Sequence, residues 1–102
     1  MSGKLIDLTK DNFKETIKTG TVLVDFWAPW CPPCRMQTPI LETLAGEMTG
    51  VVFGKVNVDD NPEVAAQFNI ASIPTLIVFK DGKPAKKFVG LTQANELKGA
   101  LA

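Results

Sequence analysis

The run Val22-Leu23-Val24-Asp25-Phe26-Trp27 constrains the fold of this chain more than any other segment. A strand with one wet face alternates apolar and polar residues, whereas a strand that is apolar almost throughout must be covered on both faces. Thr21 to Trp27 therefore reads as a central strand, and the rest of the chain has to supply a layer on each side of it. With 102 residues, 45% of them hydrophobic, there is enough chain for one domain with a real core and not for two. Residues 1–102 are expected to form that single domain.

The flanking segments read as the required layers. Lys4 to Leu8 (KLIDL) alternates and predicts a short edge strand. Thr9 can cap a helix that carries Phe13 and Ile17 at helical spacing and stops at Gly20. From Cys31 to about Met48, the positions Met36, Ile40, Leu41, Leu44 and Met48 form a helical apolar stripe. Pro39 lies inside it, deletes an i→i−4 hydrogen bond and predicts a kink. Val51 to Val58 is the next strand, and Asn61-Pro62-Glu63 opens a short helix through Phe68 with cap, first-position proline and first-turn acid in order. Thr75 to Phe79 is a further strand, turned by Asp81-Gly82 into an antiparallel partner from Pro84 to Val89. Thr92 then caps a last helix that turns Leu97 and Leu101 inward. The order β-α-β-α-β-α-β-β-α predicts an α/β fold with a mixed sheet and helices on both faces.

Composition narrows the chemistry. Eleven basic and 11 acidic residues leave no net charge to attract nucleic acid or an anionic membrane. Histidine is absent, which removes Cys-His and Ser-His nucleophile pairs and imidazole acid–base catalysis. Two cysteines without histidine cannot complete a four-ligand zinc site, so neither a metal nor another cofactor is expected. Thiols, carboxylates and lysines remain. No apolar core follows Met1-Ser2-Gly3-Lys4 as in an export signal, and no apolar run approaches the roughly 20 residues of a membrane span. A cytoplasmic protein is the expectation.

The two cysteines stand as Cys31-Pro32-Pro33-Cys34, directly after the buried-type strand and at the start of a helix. A C-x-x-C pair in a βαβ setting is a recognised redox signature. Residues i and i+3 share one helical face at about 5–6 Å, inside the Cα window of an unstrained disulfide. A sulfur at a helix N-terminus also meets unpaired N–H groups and the positive end of the helix dipole, which favour the thiolate. Cys31, at the exposed first position, is expected to attack, and Cys34, one turn deeper, to resolve the mixed disulfide. A purely structural bridge is the competing reading. A reducing compartment and the very short loop both argue against it.

Asp25 interrupts the apolar strand. A buried carboxylate is costly to ionise, so Asp25 is expected to be protonated or poised near neutrality and to exchange a proton with Cys34. Lys55, on the neighbouring strand, would be the nearest cation to bias it; a plain surface lysine is an equal alternative.

The segment VDFWAPWCPPCR, Val24 to Arg35, closely resembles the active-site segment of the thioredoxin family. Further landmarks agree in order along nearly the whole chain: Lys55-Val56-Asn57-Val58-Asp59, Ile73-Pro74-Thr75 and Phe88-Val89-Gly90. Pro32 departs from the family, whose members ordinarily carry glycine there, and bears on redox poise and partner choice. The resemblance implies a thioredoxin fold with a mostly five-stranded sheet, and general reduction of protein disulfides through a reversible Cys31–Cys34 disulfide. It further implies a monomer, recharged by a thioredoxin reductase and acting on disulfide-containing proteins. By the same resemblance Asp25 serves as proton acceptor and donor, and Pro74 is a cis proline packed against the cysteines. Trp30, Pro32, Pro33, Ile73, Pro74 and Gly90, with Leu91 beside them, would frame a groove for an extended substrate strand. Trp27 is expected in the core. A thiol oxidant or isomerase, and a binding scaffold with incidental redox turnover, are the other readings. The missing export signal counts against the first, and the intact cysteine pair with Asp25 counts against the second.

Overall fold

In the computed structural model, residues 3–101 are described; Met1 and Ser2, read above as part of no export signal, and Ala102 lie outside them. Along these residues run β1 (Ile6–Asp7), α1 (Phe13–Ile17), β2 (Thr21–Trp27), α2 (Pro32–Glu47), β3 (Val51–Asn57), α3 (Pro62–Gln67), β4 (Thr75–Lys80), β5 (Lys83–Val89) and α4 (Ala94–Leu101). The strands form one mixed sheet in the order β1-β3-β2-β4-β5. β2 lies in the middle, parallel to β3 and antiparallel to β4.

Both faces of β2 are covered, as its composition requires. Val22, Val24 and Phe26 point to a core shared with Phe13 and Ile17 of α1 and Val64 of α3. Phe13, Phe26, Phe68 and Phe79 stack there with ring centroids 5.2–6.4 Å apart. Leu23 points the other way, into a core with Leu41 and Leu44 of α2 and Leu97 and Leu101 of α4. By strand alternation Asp25 shares the face of Leu23, and Lys55 shares that of Phe53, so both lie in the layer beneath α2.

Several local expectations are corrected. Met36 is exposed at 59%, and the buried face of α2 instead runs Cys34, Gln37, Leu41, Leu44, which follows i, i+3, i+7, i+10. Pro39 lies inside α2, where the sequence placed it. The Asn61 side chain caps nothing in α3; it accepts from the Lys10 N–H at 3.2 Å and donates to the Asn57 carbonyl at 3.1 Å, tying two loops together. Asn12 stands at the N-cap of α1, and Thr9 opens the preceding turn, its N–H donating to Asn12 Oδ1 and its hydroxyl oxygen accepting from the Asp11 N–H. Thr92 precedes α4 but turns its hydroxyl back to the Gly90 carbonyl at 3.0 Å.

In the hairpin, Asp81 and Gly82 both have positive φ, 52° and 85°, the geometry that matches the twist of two antiparallel strands. Phe79 faces Pro84 while Val78 faces Lys86, so Ala85 is an extra, bulged residue. Pro84, which has no N–H, is tolerated because β5 is an edge.

Candidate active site

β2 ends at Trp27, and the chain reaches α2 through Ala28, Pro29 and Trp30. Cys31 is the N-cap of α2 in extended conformation, Pro32 and Pro33 fill the first two helical positions, and Cys34 is the third. Cys31 and Cys34 are joined in a disulfide with Cα atoms 5.2 Å apart. Since neither proline has an N–H, the first amide of the helix belongs to Cys34, and it donates to Cys31 Sγ at 3.3 Å. Arg35 Nη1 donates to the Pro29 carbonyl at 3.0 Å, closing the turn that presents Trp30 and Cys31.

Cys31 is less exposed than its position in the chain suggests. It keeps 3% of its surface in the disulfide form and Cys34 keeps none, so the expected open exposure of Cys31 is not found. The cover comes from the segment before β4. The Ile73–Pro74 bond is cis, and the Ile73 carbonyl oxygen lies 3.8 Å from Cys31 Sγ. Pro74 is buried and its carbonyl accepts from the Gly90 N–H at 2.8 Å. Gly90 has φ +89°, a conformation a side chain would strain, so its glycine is required by the backbone before any question of substrate approach. Trp30 is 64% exposed and fixed by its Nε1–H donating to Asp59 Oδ2 at 2.8 Å.

Asp25 is fully buried, and neither carboxylate oxygen has a hydrogen-bond partner within the protein. Burial pushes its carboxyl from the ordinary 3.8 up to about 7, against the opposing pull of the Lys55 charge. Lys55 is directly across from Asp25 in the β2–β3 register. Its Nζ sits 4.7 Å from the Trp27 ring centroid and 3.9 Å from Asp7 Oδ1 at the rim of a cavity of about 560 Å³. Trp27 is half-buried and packs against the cysteine cluster of Ala28, Cys31 and Cys34.

Two features escaped sequence reasoning. Asp59 could have been found from strand pairing, since Trp27 faces Asn57 and the loops after both strands must meet. Gln37 could not: it lies one turn beyond Cys34, wholly buried, with Nε2 donating to the Thr92 carbonyl at 2.9 Å and Oε1 accepting the Thr92 N–H at 2.8 Å. Among the described residues no group of three or more His, Cys, Asp or Glu side chains is placed to hold a metal ion. No helix among them is long and apolar enough to cross a membrane.

A disulfide at a helix N-terminus, on the sheet face that carries a buried unpartnered acid and beside a cis-proline segment, can be opened by an external thiolate, and the dithiol so formed can attack an external disulfide. The comparisons with known proteins agree. The family model named Thioredoxin matches residues 4–102. A thioredoxin of Chlamydia caviae is 51% identical over 90 residues, 88% of each chain, and one of Staphylococcus haemolyticus is 50% identical over 98 residues, 95% of this chain and 94% of its own. Among solved structures, oxidised mitochondrial thioredoxin 3 of Saccharomyces cerevisiae superposes with a TM-score of 0.87 at 31% identity, covering 95% of this chain and 92% of that one. A mutant thioredoxin of Halobacterium salinarum gives 0.88 at 34% identity over 96% and 88%. With its fold, its cysteine pair and these relatives in accord, the chain belongs to the thioredoxin family of thiol–disulfide oxidoreductases.

Proposed function

We propose that the chain is a cytoplasmic, monomeric single-domain protein, spanning residues 1–102, that reduces disulfides of other proteins and is recharged by a thioredoxin reductase. The observation that carries this reading is the Cys31–Cys34 disulfide at the N-terminus of α2, on the same sheet face as the unpartnered carboxyl of Asp25. In the reduced protein the Cys31 thiolate attacks one sulfur of a target disulfide. A bond forms between Cys31 Sγ and that sulfur, and the other target sulfur leaves as a thiolate and takes a proton. Cys34 then gives its proton to Asp25 and attacks Cys31 Sγ. The intrachain disulfide closes, the second target sulfur departs, and two electrons have passed to the target. A carboxyl that titrates near 7 can accept the proton and return it in the next cycle. Lys55 biases that titration from across the strand pair.

For the groove, Trp30, Pro32 and Pro33 form the helix-side wall, and Ile73, Pro74 and Gly90 the opposite wall. Support comes from the exposed apolar surfaces of Trp30, Val89 and Leu91, and from the half-buried Ile73 with its backbone close to Cys31. An extended target segment can lie along such backbone and offer its disulfide to Cys31. The scarcity of N–H donors at the helix start, which stabilises the thiolate less than a full complement would, supports the reducing direction.

Insulin reduction coupled to a thioredoxin reductase tests the proposal. The native chain should turn over repeatedly, Cys31→Ser should be inactive, and Cys34→Ser should accumulate a mixed disulfide through Cys31. Iodoacetamide should label Cys31 before Cys34 in the reduced protein. Labelling in the opposite order, or no turnover with a competent reductase, would refute the assignment.

A further inference from the structure

We infer that Gln37 is a positioning residue that latches the Gly90–Thr92 wall of the substrate groove to the disulfide-bearing helix. The inference rests on the reading of Gly90 and Leu91 as part of that groove. Gln37 projects from α2 on the same buried face as Cys34, one turn further on. Its side-chain amide satisfies both backbone groups of one residue, Thr92, with bonds of 2.9 and 2.8 Å, and Thr92 is itself buried. Two antiparallel bonds to a single peptide residue fix both its distance and its rotation, which one bond would not. The constraint passes on toward the cysteines. Thr92 Oγ1 donates to the Gly90 carbonyl at 3.0 Å, and the Gly90 N–H donates to the Pro74 carbonyl at 2.8 Å. Pro74 follows Ile73, whose carbonyl oxygen stands 3.8 Å from Cys31 Sγ. A closed path therefore runs from α2 through Gln37, Thr92, Gly90 and the cis-proline segment back to the cysteine at the start of α2.

Gly90 needs this support. Its φ of +89° comes at a residue with no side chain to pack, and no atom lies within 4 Å of where a Cβ would be. Leu91 is exposed, so the wall it forms is held by hydrogen bonds of its neighbours and not by burial of its own side chain. An apolar residue at position 37 would fill the same volume and leave the Thr92 N–H and carbonyl buried without partners. The wall would then shift or fluctuate, while Cys31, Cys34 and Asp25 keep their own contacts.

Gln37→Met removes both bonds at nearly constant volume, and Thr92→Val removes the hydroxyl link with the Gln37 bonds left in place. The reduced proteins are compared on insulin and on a small aromatic disulfide, dithiobis(nitrobenzoate), which needs no groove. We expect Gln37→Met to raise KM for insulin threefold or more with kcat and the small-disulfide rate changed less than twofold, and Thr92→Val to do the same more weakly. Exchange of the Thr92 amide proton should accelerate at least tenfold in Gln37→Met. If Gln37→Met does not fold, Thr92→Val decides alone. An insulin KM within 1.5-fold of the parent in the folded variants, or equal losses on insulin and the small disulfide, would overturn the latch. Should the parent itself fail to reduce insulin, the proposed function falls, and the Thr92 exchange rate still decides whether Gln37 holds the segment.

Discussion

Asp25 stores a cost at the centre of the sheet. Its ordinary value of 3.8 rises to about 7 on folding, so the folded state binds the proton more tightly than the unfolded chain. Raising the pH through that window strips the proton from the unfolded chain first, and stability falls until the folded carboxyl has also ionised. Asp25→Asn removes the whole effect. Its stability gain should be small near pH 4, grow toward pH 7 and then level off, with a ceiling of about 4 kcal/mol at 1.36 kcal/mol per tenfold change in proton affinity. Urea titrations across this range measure it, and a gain independent of pH would show that Asp25 is not desolvated. The same variant should slow resolution of the mixed disulfide more than the initial attack. At Pro32 the relevant quantity is donors. Pro32→Gly adds an N–H to the positive end of α2, where only the Cys34 amide now faces Cys31 Sγ. It should lower the Cys31 pKa and make the potential less negative. The upper limit is one charge-assisted hydrogen bond of about 1.5–3 kcal/mol, or about 30–65 mV. Equilibration with glutathione reads the shift, and a more negative potential would mean that the stiffness of the double proline dominates.

At the scale of elements, the β4–β5 hairpin depends on two residues in the left-handed region. Gly82, at φ +85°, has room for a Cβ, its nearest prospective neighbour being the Lys18 carbonyl oxygen at 3.6 Å, so Gly82→Ala isolates backbone strain from crowding. A loss of about 1–2 kcal/mol is expected by chemical denaturation, and no loss would place the turn's stability elsewhere, in the Asp81–Gly20 bonds. The order of elements was legible because each carries a pattern of its own: the continuous apolar β2, the Asp-Gly turn, the Pro after Asn61. Side-chain partnerships over long separations were not. Thr9, Asn61 and Thr92 all have capping chemistry, yet the Asn61 side chain accepts from Lys10 across 51 positions, and the Thr92 hydroxyl turns back to Gly90 while its backbone meets the Gln37 side chain across 55. A short polar side chain offers the same groups to a local cap and to a distant loop, and only the packed structure decides between them. Met36 misled for a related reason, since a methionine at helical spacing looks like core until the helix phase is fixed by Cys34. Within the site, Cys31, Cys34 and the strain of an acid in an apolar strand could be read directly, while the cis Ile73–Pro74 bond followed only from the family resemblance.

For the molecule as a whole, the disulfide links residues three apart in sequence. The loop it closes is so short that the chain-entropy estimate is about 2 kcal/mol. Reduction should therefore lower the melting temperature by about 8–16 °C for a domain of this size, leaving a folded dithiol protein; calorimetry of both forms measures the difference, and unfolding on reduction would contradict a redox cycle. The position of β2 has a further consequence. It is the middle strand of five, bonded to a neighbour along each side, and it carries Asp25 and leads directly to Cys31. Fraying begins at sheet edges and termini, where opening costs least. The β2 amides should then exchange with solvent only when the entire protein unfolds, while β1 and β5 open more readily. Partial openings that loosen the periphery would then leave in place the strand that carries Asp25 and leads into Cys31.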